Sequence, residues 1–344
     1  MLLVRHHNLA QRHLQLRNLV QRSRELRANL RRPLRPEKRT TMSDESKGAL
    51  ASIKRVVVLG SGTMGQGIAQ VTAQAGFVTR VYDVDASRVG RAIENIKQTT
   101  EKLVQKGKMP NEARIEILIA LVATSNLAHA CDDVDLVIES VPEQMELKVN
   151  LLRDVKALTR PDTILGTNTS SLSITEIGTR VGAPNRTIGL HFFNPPPVME
   201  LLEIVRGLGT DEATVVTSSA LAKRLGKTPI IVNDMPGFAT SRLGVVIGAE
   251  AMRMLETGVA SVEDIDRAME LGYRHPMGPL KLTDLVGLDV RLMILEHLHR
   301  EIGEQFRPPA ILRQMVRAGK LGKKSGEGFY RWTEAGPVPT RSNR

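Results

Sequence analysis

The chain has 344 residues, about two domains' worth, and its 41% hydrophobic and 25% charged side chains suit a soluble globular protein rather than a disordered one. No window reaches the ~20 uninterrupted apolar residues of a membrane span, and the single cysteine, Cys131, excludes an intrachain disulfide or a thiolate metal cluster. Ten aromatics leave little for stacking single-stranded bases, although a charge of +11 and a pI near 10 would by themselves suggest an anionic partner.

That charge is concentrated at the start. Residues 1–41 hold 11 basic and two acidic residues, and without them 37 basic and 35 acidic remain, or +2 over residues 42–344. Leu9, Leu16, Leu19, Val20, Leu26 and Leu30 fall loosely at helical spacing, and an Arg-rich, acid-poor composition is that of a mitochondrial transit peptide. Met42-Ser43-Asp44-Glu45 also reads as an ordinary N-terminus. The head is therefore open to three readings: sequence upstream of the true start, a disordered basic tail, or a targeting segment. The first two go with a cytoplasmic protein and the third with the mitochondrial matrix. Phosphate attraction without base readout is non-specific, so no specific nucleic-acid partner is expected, and residues 1–49 are set apart from the fold.

Ile53-Lys54-Arg55-Val56-Val57-Val58-Leu59 is a β-branched run suited to a strand buried on both faces. It leads into Gly60-Ser61-Gly62-Thr63-Met64-Gly65, a G-x-G-x-x-G turn, then a helical pattern through Ile68, Val71, Thr72 and Ala75 that stops at Gly76. A second strand, Phe77 to Tyr82, ends on Asp83, 18 residues beyond Gly65. Strand, glycine turn, helix, strand and terminal acid in this order predict a dinucleotide site. Gly60 permits the tight turn, Gly62 lets backbone approach a pyrophosphate, and Gly65 lets the helix lie close to the strand. Ser61, Thr63 and Met64 complete the loop, and the helix N-terminus favours the phosphates' charge. Asp83 is positioned for the adenine ribose hydroxyls and would repel a 2′-phosphate, so NAD is favoured over NADP.

Val134 to Val141 reads as a strand, and Pro142-Glu143 as the opening of a helix that runs toward Pro161. Thr163 to Asn168 and Thr187 to Phe193 read as further strands. The alternation predicts an α/β fold with a Rossmann-type, doubly wound parallel sheet, its ligand crevice beyond the strands' carboxyl ends. Asn168, Ser170, His191 and Asn194 fall at such ends. Pro195-Pro196-Pro197 forces a turn, and the apolar run Val198 to Val205 can return beside it. Glu203, 12 residues after His191, then comes next to the imidazole. An imidazole oriented by a carboxylate can remove a hydroxyl proton while hydride leaves the same carbon. Read singly, His191 suits a structural strand-end histidine and Glu203 a surface carboxylate.

Asn168-Thr169-Ser170-Ser171-Leu172, Gly189-Leu190-His191-Phe192-Phe193-Asn194-Pro195, Asp234-Met235-Pro236-Gly237-Phe238 and Gly322-Lys323-Lys324-Ser325-Gly326-Glu327-Gly328-Phe329-Tyr330 occur in this order. Together they resemble the 3-hydroxyacyl-CoA dehydrogenase family, particularly its 3-hydroxybutyryl-CoA type, over about residues 50–332. The resemblance implies an enzyme of lipid and fatty-acid metabolism that oxidises a (3S)-3-hydroxyacyl-CoA with NAD, or runs the reverse reduction. It implies that His191 is the catalytic base and Glu203 the acid that pairs with it. It puts Ser170 against substrate and nicotinamide, and Asn194 along the nicotinamide site. It further implies cofactor contacts at Glu143, Lys148 and Lys324, coenzyme A contacts at Thr99 and Lys106, and no metal. Ser241 departs from the family's usual asparagine near the acyl substrate, offering a hydroxyl in place of an amide. Two other readings stay open: a dehydrogenase of a free hydroxy acid, such as a sugar acid or carnitine, and a non-catalytic NAD-binding protein. Lys106 favours a thioester over the first, and the His191/Glu203 pair favours an enzyme over the second.

Beyond Gly237 the pattern turns helical. Leu243, Val246, Ile247, Glu250, Met254 and Leu255 space as one amphipathic helix halted by Gly258, and Ser261 caps another with acids in its first turn. His275-Pro276-Met277-Gly278-Pro279 leads into a third. Residues 50–236 are thus expected to form the NAD-binding domain and 237–332 an all-helical domain that closes the crevice and supplies a homodimer contact. Residues 333–344 are expected to be a frayed tail.

Overall fold

Strand β1 (Arg55–Leu59) explains why the central sheet is covered on both faces. Successive side chains of a strand point to opposite sides, and four consecutive apolar residues therefore need two cores. Val56 and Val58 join one buried cluster with Ile68, Ile138 and Leu190, while Val57 and Leu59 join another with Val137, Leu152 and Leu165. The computed structural model describes residues 53–340, so the basic head and its three readings lie outside the described residues.

The described residues build an eight-stranded sheet in the order β3-β2-β1-β4-β5-β6-β7-β8. After β1 come helix α1 (Thr63–Gln74), β2 (Val78–Tyr82), α2 (Ala86–Gln105), α3 (Asn111–Ala120), β3 (Leu121–Thr124) and α4 (Leu127–Cys131). Then follow β4 (Leu136–Glu139), α5 (Met145–Leu158), β5 (Ile164–Thr167), α6 (Ile174–Val181), β6 (Thr187–Phe192), β7 (Leu201–Arg206), α7 (Glu212–Arg224) and β8 (Thr228–Asn233). Strands β1 to β6 are parallel, but β7 pairs antiparallel with β6 and β8 runs parallel to β7. The sheet is thus the expected Rossmann-type one, mostly parallel, with the antiparallel step at β6–β7. The proline turn after Phe193 is too short for the crossover of a dozen or more residues that a parallel return requires.

One correction concerns Pro142-Glu143. Helix α5 starts at Met145, and Gln144 N–H donates instead to the Pro142 carbonyl at 2.8 Å, forming a turn. That turn frees Glu143 to reach across to the end of β5.

From α8 (Thr240–Glu256) onward the apolar side chains gather in a separate core. It is built on α8, α9 (Val262–Arg267), α10 (Pro279–Val286), α11 (Leu288–Glu301) and α12 (Ala310–Arg317). Ser261 caps α9 by accepting from Asp264 N–H, as its sequence suggests. This part is not all helical, and residues 333–340 are not frayed. Strands β9 (Tyr330–Thr333) and β10 (Gly336–Pro339) form an antiparallel hairpin. Two buried carboxylates hold it: Asp284 accepts from Phe329 N–H (2.9 Å), Tyr330 N–H (2.8 Å) and Trp332 Nε1–H (3.0 Å), and Asp266 from Tyr330 O–H (2.7 Å). No helix among the described residues is long and apolar enough to cross a membrane.

Candidate active site

The three glycines of the loop after β1 have separate tasks. Gly60 has φ +96°, and a Cβ there would stand 2.6 Å from the Ser140 carbonyl oxygen. A Cβ on Gly65 would stand 1.8 Å from the Gly60 carbonyl oxygen, so strand and helix touch only because both are glycine. A Cβ on Gly62 would meet nothing within 4 Å. Gly62 therefore borders open space at the N-terminus of α1, where no side chain caps the helix and no acid occupies the first turn. Such a helix start is a ready anion site. Beside it, Asp83 Oδ2 accepts from Ser61 N–H (3.0 Å) and Oγ–H (2.8 Å). Burial alone would raise the Asp83 pKa, but these bonds hold it below the ordinary carboxylate value. A phosphate cradle next to an anchored anion fits NAD, and the carboxylate opposes a 2′-phosphate.

Behind the crevice lies a buried charge cluster. Lys148 on α5 donates to Glu139 Oε1 (2.7 Å) and Oε2 (3.0 Å) and lies 3.3 Å from Glu143 Oε2. Its amine is enclosed among these acceptors of the protein. Glu143 instead faces the strand ends. Its Oε1 accepts from Thr169 Oγ–H (2.5 Å), Ser170 N–H (2.9 Å) and Ser171 Oγ–H (3.2 Å). Burial works against ionisation of Glu143, yet Lys148 and these donors leave its pKa below the ordinary value. The Asn168–Ser171 turn is thereby fixed beside β6, where Asn168 Oδ1 accepts from Phe192 N–H at 2.9 Å.

Antiparallel pairing of β6 and β7 sets His191 directly opposite Glu203. The imidazole Nδ1 lies 2.7 Å from Glu203 Oε2, and the ring is flanked by Phe193 and Phe238, with centroids at 4.5 and 5.9 Å. Glu203 is wholly buried and receives three further donors from the start of α8: Ala239 N–H (3.2 Å), Thr240 N–H (3.0 Å) and Thr240 Oγ–H (2.8 Å). Burial would raise the Glu203 pKa, but the bonds from His191 and then Thr240 keep it below the ordinary value. A helix N-terminus from the second core thus clasps the carboxylate that orients the histidine. An ionised Glu203 fixes the proton on Nδ1 and leaves the Nε2 lone pair for a substrate.

The remaining expected residues lie at varied distances from this centre. Asn194 is exposed at the start of the proline turn, which folds back so that Pro196 lies against Gly67 of α1. Buried Lys227 holds that turn through the carbonyls of Pro196 (2.6 Å) and Met199 (2.7 Å). Ser241 is half-buried in the first turn of α8. Thr99 is exposed on the face of α2 that carries Asn95, whose amide donates to Gln66 beside the glycine loop at 3.1 Å, and Lys106 is exposed as the C-cap of that helix. Lys324 pairs with Asp289 of α11 at 2.5 Å, so its described contact lies within the helical part rather than with the crevice. Sequence reasoning missed Thr240, Lys227 and Glu139. Each acts through a partner remote in the chain, and none belongs to a spaced pattern.

Comparison with known proteins gives the same picture. The family model for the 3-hydroxyacyl-CoA dehydrogenase NAD binding domain matches residues 55–235, and that for the C-terminal domain matches residues 237–332. A Bacillus subtilis protein named as a probable 3-hydroxybutyryl-CoA dehydrogenase is 44% identical, over 82% of this chain and 98% of its own length. A 3-hydroxybutyryl-CoA dehydrogenase of Bradyrhizobium diazoefficiens is 41% identical over 85% of this chain and 99% of its own length. The crystal structure of an (S)-3-hydroxybutyryl-CoA dehydrogenase from Ralstonia eutropha superposes with a TM-score of 0.79 at 37% identity, covering 82% of this chain and all of that one. With an NAD cradle at β1, a His/Glu pair at β6 and β7, and matches that span both halves, the chain belongs to the 3-hydroxyacyl-CoA dehydrogenase family of NAD-dependent oxidoreductases.

Proposed function

We propose that this enzyme interconverts a (3S)-3-hydroxyacyl-CoA of the 3-hydroxybutyryl type and its 3-oxoacyl-CoA, with His191 as the general base. The observation that carries this reading is the buried His191–Glu203 pair clasped by α8. The glycine loop after β1 and Asp83 would hold NAD, which would supply the acceptor for the hydride leaving carbon 3. In the oxidation, His191 Nε2 takes the 3-hydroxyl proton, and the imidazolium that forms is stabilised by Glu203 at 2.7 Å. In the reduction, the same imidazolium returns the proton to the 3-oxo oxygen. Ser170, whose N–H is tied to Glu143, and Asn194, beyond His191 on the proline turn, flank the reacting carbon. Thr99 and Lys106 offer a hydroxyl and a positive charge to coenzyme A, and Ser241 borders the acyl chain. Two copies associate through the helical part, where Leu243 (62% exposed) and Met293 (50%) leave apolar surface uncovered.

Steady-state kinetics with NADH tests the reading. Acetoacetyl-CoA should exceed free acetoacetate in kcat/KM by about 100-fold or more, the effect of roughly 3 kcal/mol of remote binding energy. Free coenzyme A should compete with the thioester. Equal use of the free acid, with no inhibition by coenzyme A, would overturn the assignment in favour of a small hydroxy-acid dehydrogenase.

A further inference from the structure

Two buried cations, Arg186 and Lys227, donate to pairs of backbone carbonyls rather than to carboxylates. Arg186 lies just before β6 and reaches the carbonyls of Arg160 (2.8 Å) and Thr163 (2.7 Å), at the amino ends of β5 and β6. Lys227 stands at the other end of the sheet. Because β7 runs antiparallel to β6 and β8 parallel to β7, the start of β8 comes to the edge where β6 ends in His191 and Phe192. Burial pushes the Lys227 amine below the ordinary lysine value, against the attraction of Glu200. An ammonium is costly to bury, and what this one secures is the turn that carries Asn194.

That turn links the histidine to the cofactor helix. Five residues separate His191 from Pro196. Pro196 is buried against α1, where a Cβ on Gly67 would stand 2.6–3.1 Å from three of its ring carbons. Val198 and Met199 are exposed, which leaves the Pro196 ring and the two Lys227 bonds, at 2.6 and 2.7 Å, to anchor the segment. A shift of the turn would therefore move Asn194 and the end of β6 relative to α1.

We propose that Lys227 is a positioning residue for hydride transfer, holding the Asn194–Met199 turn against α1 so that Asn194 and His191 keep their place relative to the cofactor cradle. This rests on the functional reading above, in which Asn194 and His191 flank the reacting carbon. The phosphate cradle at Gly62 lies more than a helical turn before Gly67 on α1. Loss of Lys227 should thus impair transfer far more than cofactor binding.

The test mixes NADH-saturated enzyme with saturating acetoacetyl-CoA and follows NADH absorbance through the first turnover. In Lys227→Met the rate should fall about 100-fold, the scale of a misplacement of about 1 Å, while the NADH dissociation constant stays within about threefold. The emission of bound NADH, which reports the surroundings of the nicotinamide, should shift toward that of the free cofactor. Arg186→Met removes the same kind of buried cation from the far end of the sheet and should leave rate, affinity and emission unchanged. Gly67→Ala keeps Lys227 but presses on Pro196 from α1, so it should slow the same step. An unchanged first-turnover rate in Gly67→Ala overturns the proposal even if Lys227→Met does not fold. Equal losses in Lys227→Met and Arg186→Met overturn it as well, because the effect is then one of stability alone. If the wild type itself reduces no acetoacetyl-CoA, the functional reading fails and the proposal with it.

Discussion

Substituting alanine at Gly62 and at Gly65 should separate cofactor binding from folding within one loop. Gly62 has φ −68° and ψ −175°, extended backbone that alanine adopts freely, and an added Cβ meets nothing within 4 Å. Removing glycine from the unfolded chain should then stabilise the protein by about 0.4–1 kcal/mol, or about 1–4 °C in Tm. The new methyl group, however, occupies the space through which a phosphate must approach the first N–H groups of α1. Losing one charge-assisted hydrogen bond there costs about 1.5–3 kcal/mol, so NADH should bind about 10- to 150-fold more weakly. Gly65→Ala should do the reverse. Its methyl group would lie 1.8 Å from a backbone carbonyl that has no side-chain torsion to relieve it, and overpacking of this kind costs about 1–3 kcal/mol or more. Scanning fluorimetry reads the first effect and NADH fluorescence titration the second. Wild-type NADH affinity in Gly62→Ala would refute the reasoning, as would a fall in its Tm matching that of Gly65→Ala.

Three further substitutions probe the charges around the crevice. Glu203→Gln keeps the shape but cannot hold the proton on His191 Nδ1, so kcat should fall about 10²–10⁴-fold while NADH affinity is retained. Because the folded pKa of Glu203 is depressed, its stabilisation is complete above the unfolded value of about 4.3 and disappears as pH falls through the lower folded value. The Tm of Glu203→Gln should accordingly vary less than that of the wild type between pH 3 and 5, and parallel curves would contradict this. Thr240→Val removes one donor from Glu203, so the acid limb of kcat/KM should move to higher pH, and an unmoved limb would mean that the 2.8 Å bond does not act on the pair. Lys148→Met leaves Glu139 and Glu143 without their shared cation and should destabilise the protein by about 3–5 kcal/mol in urea titrations; a loss below 1 kcal/mol would contradict that.

The chemistry at strand ends was legible in the chain because strands of β-branched residues and glycine turns are local signals. Val56 to Leu59, the glycine loop and Asp83 take the positions their spacing implies. The pairing of His191 with Glu203 was legible for the same reason, since a short proline turn leaves a returning strand little freedom. What escaped depends on groups far apart in sequence. The reach of Thr240 to Glu203 needs the start of α8 to meet β7. The start of α5 at Met145 follows from Glu143 being held by Thr169 and Ser170, a contact across 26 residues that no helix propensity reflects. The β9–β10 hairpin depends on Asp284, more than 40 residues earlier, accepting from Phe329 and Tyr330. Strand β3 is only partly buried, and its apolar run continues directly from α3, so no boundary marks it.

The most direct measurement is turnover of acetoacetyl-CoA with NADH by the wild type and by His191→Ala, with NADH affinity measured in parallel. If His191 is the general base, kcat should drop about 10²–10⁴-fold while NADH binding at the separate glycine loop is unchanged. Near-normal turnover in His191→Ala would contradict it, and the pair at the ends of β6 and β7 would then be structural.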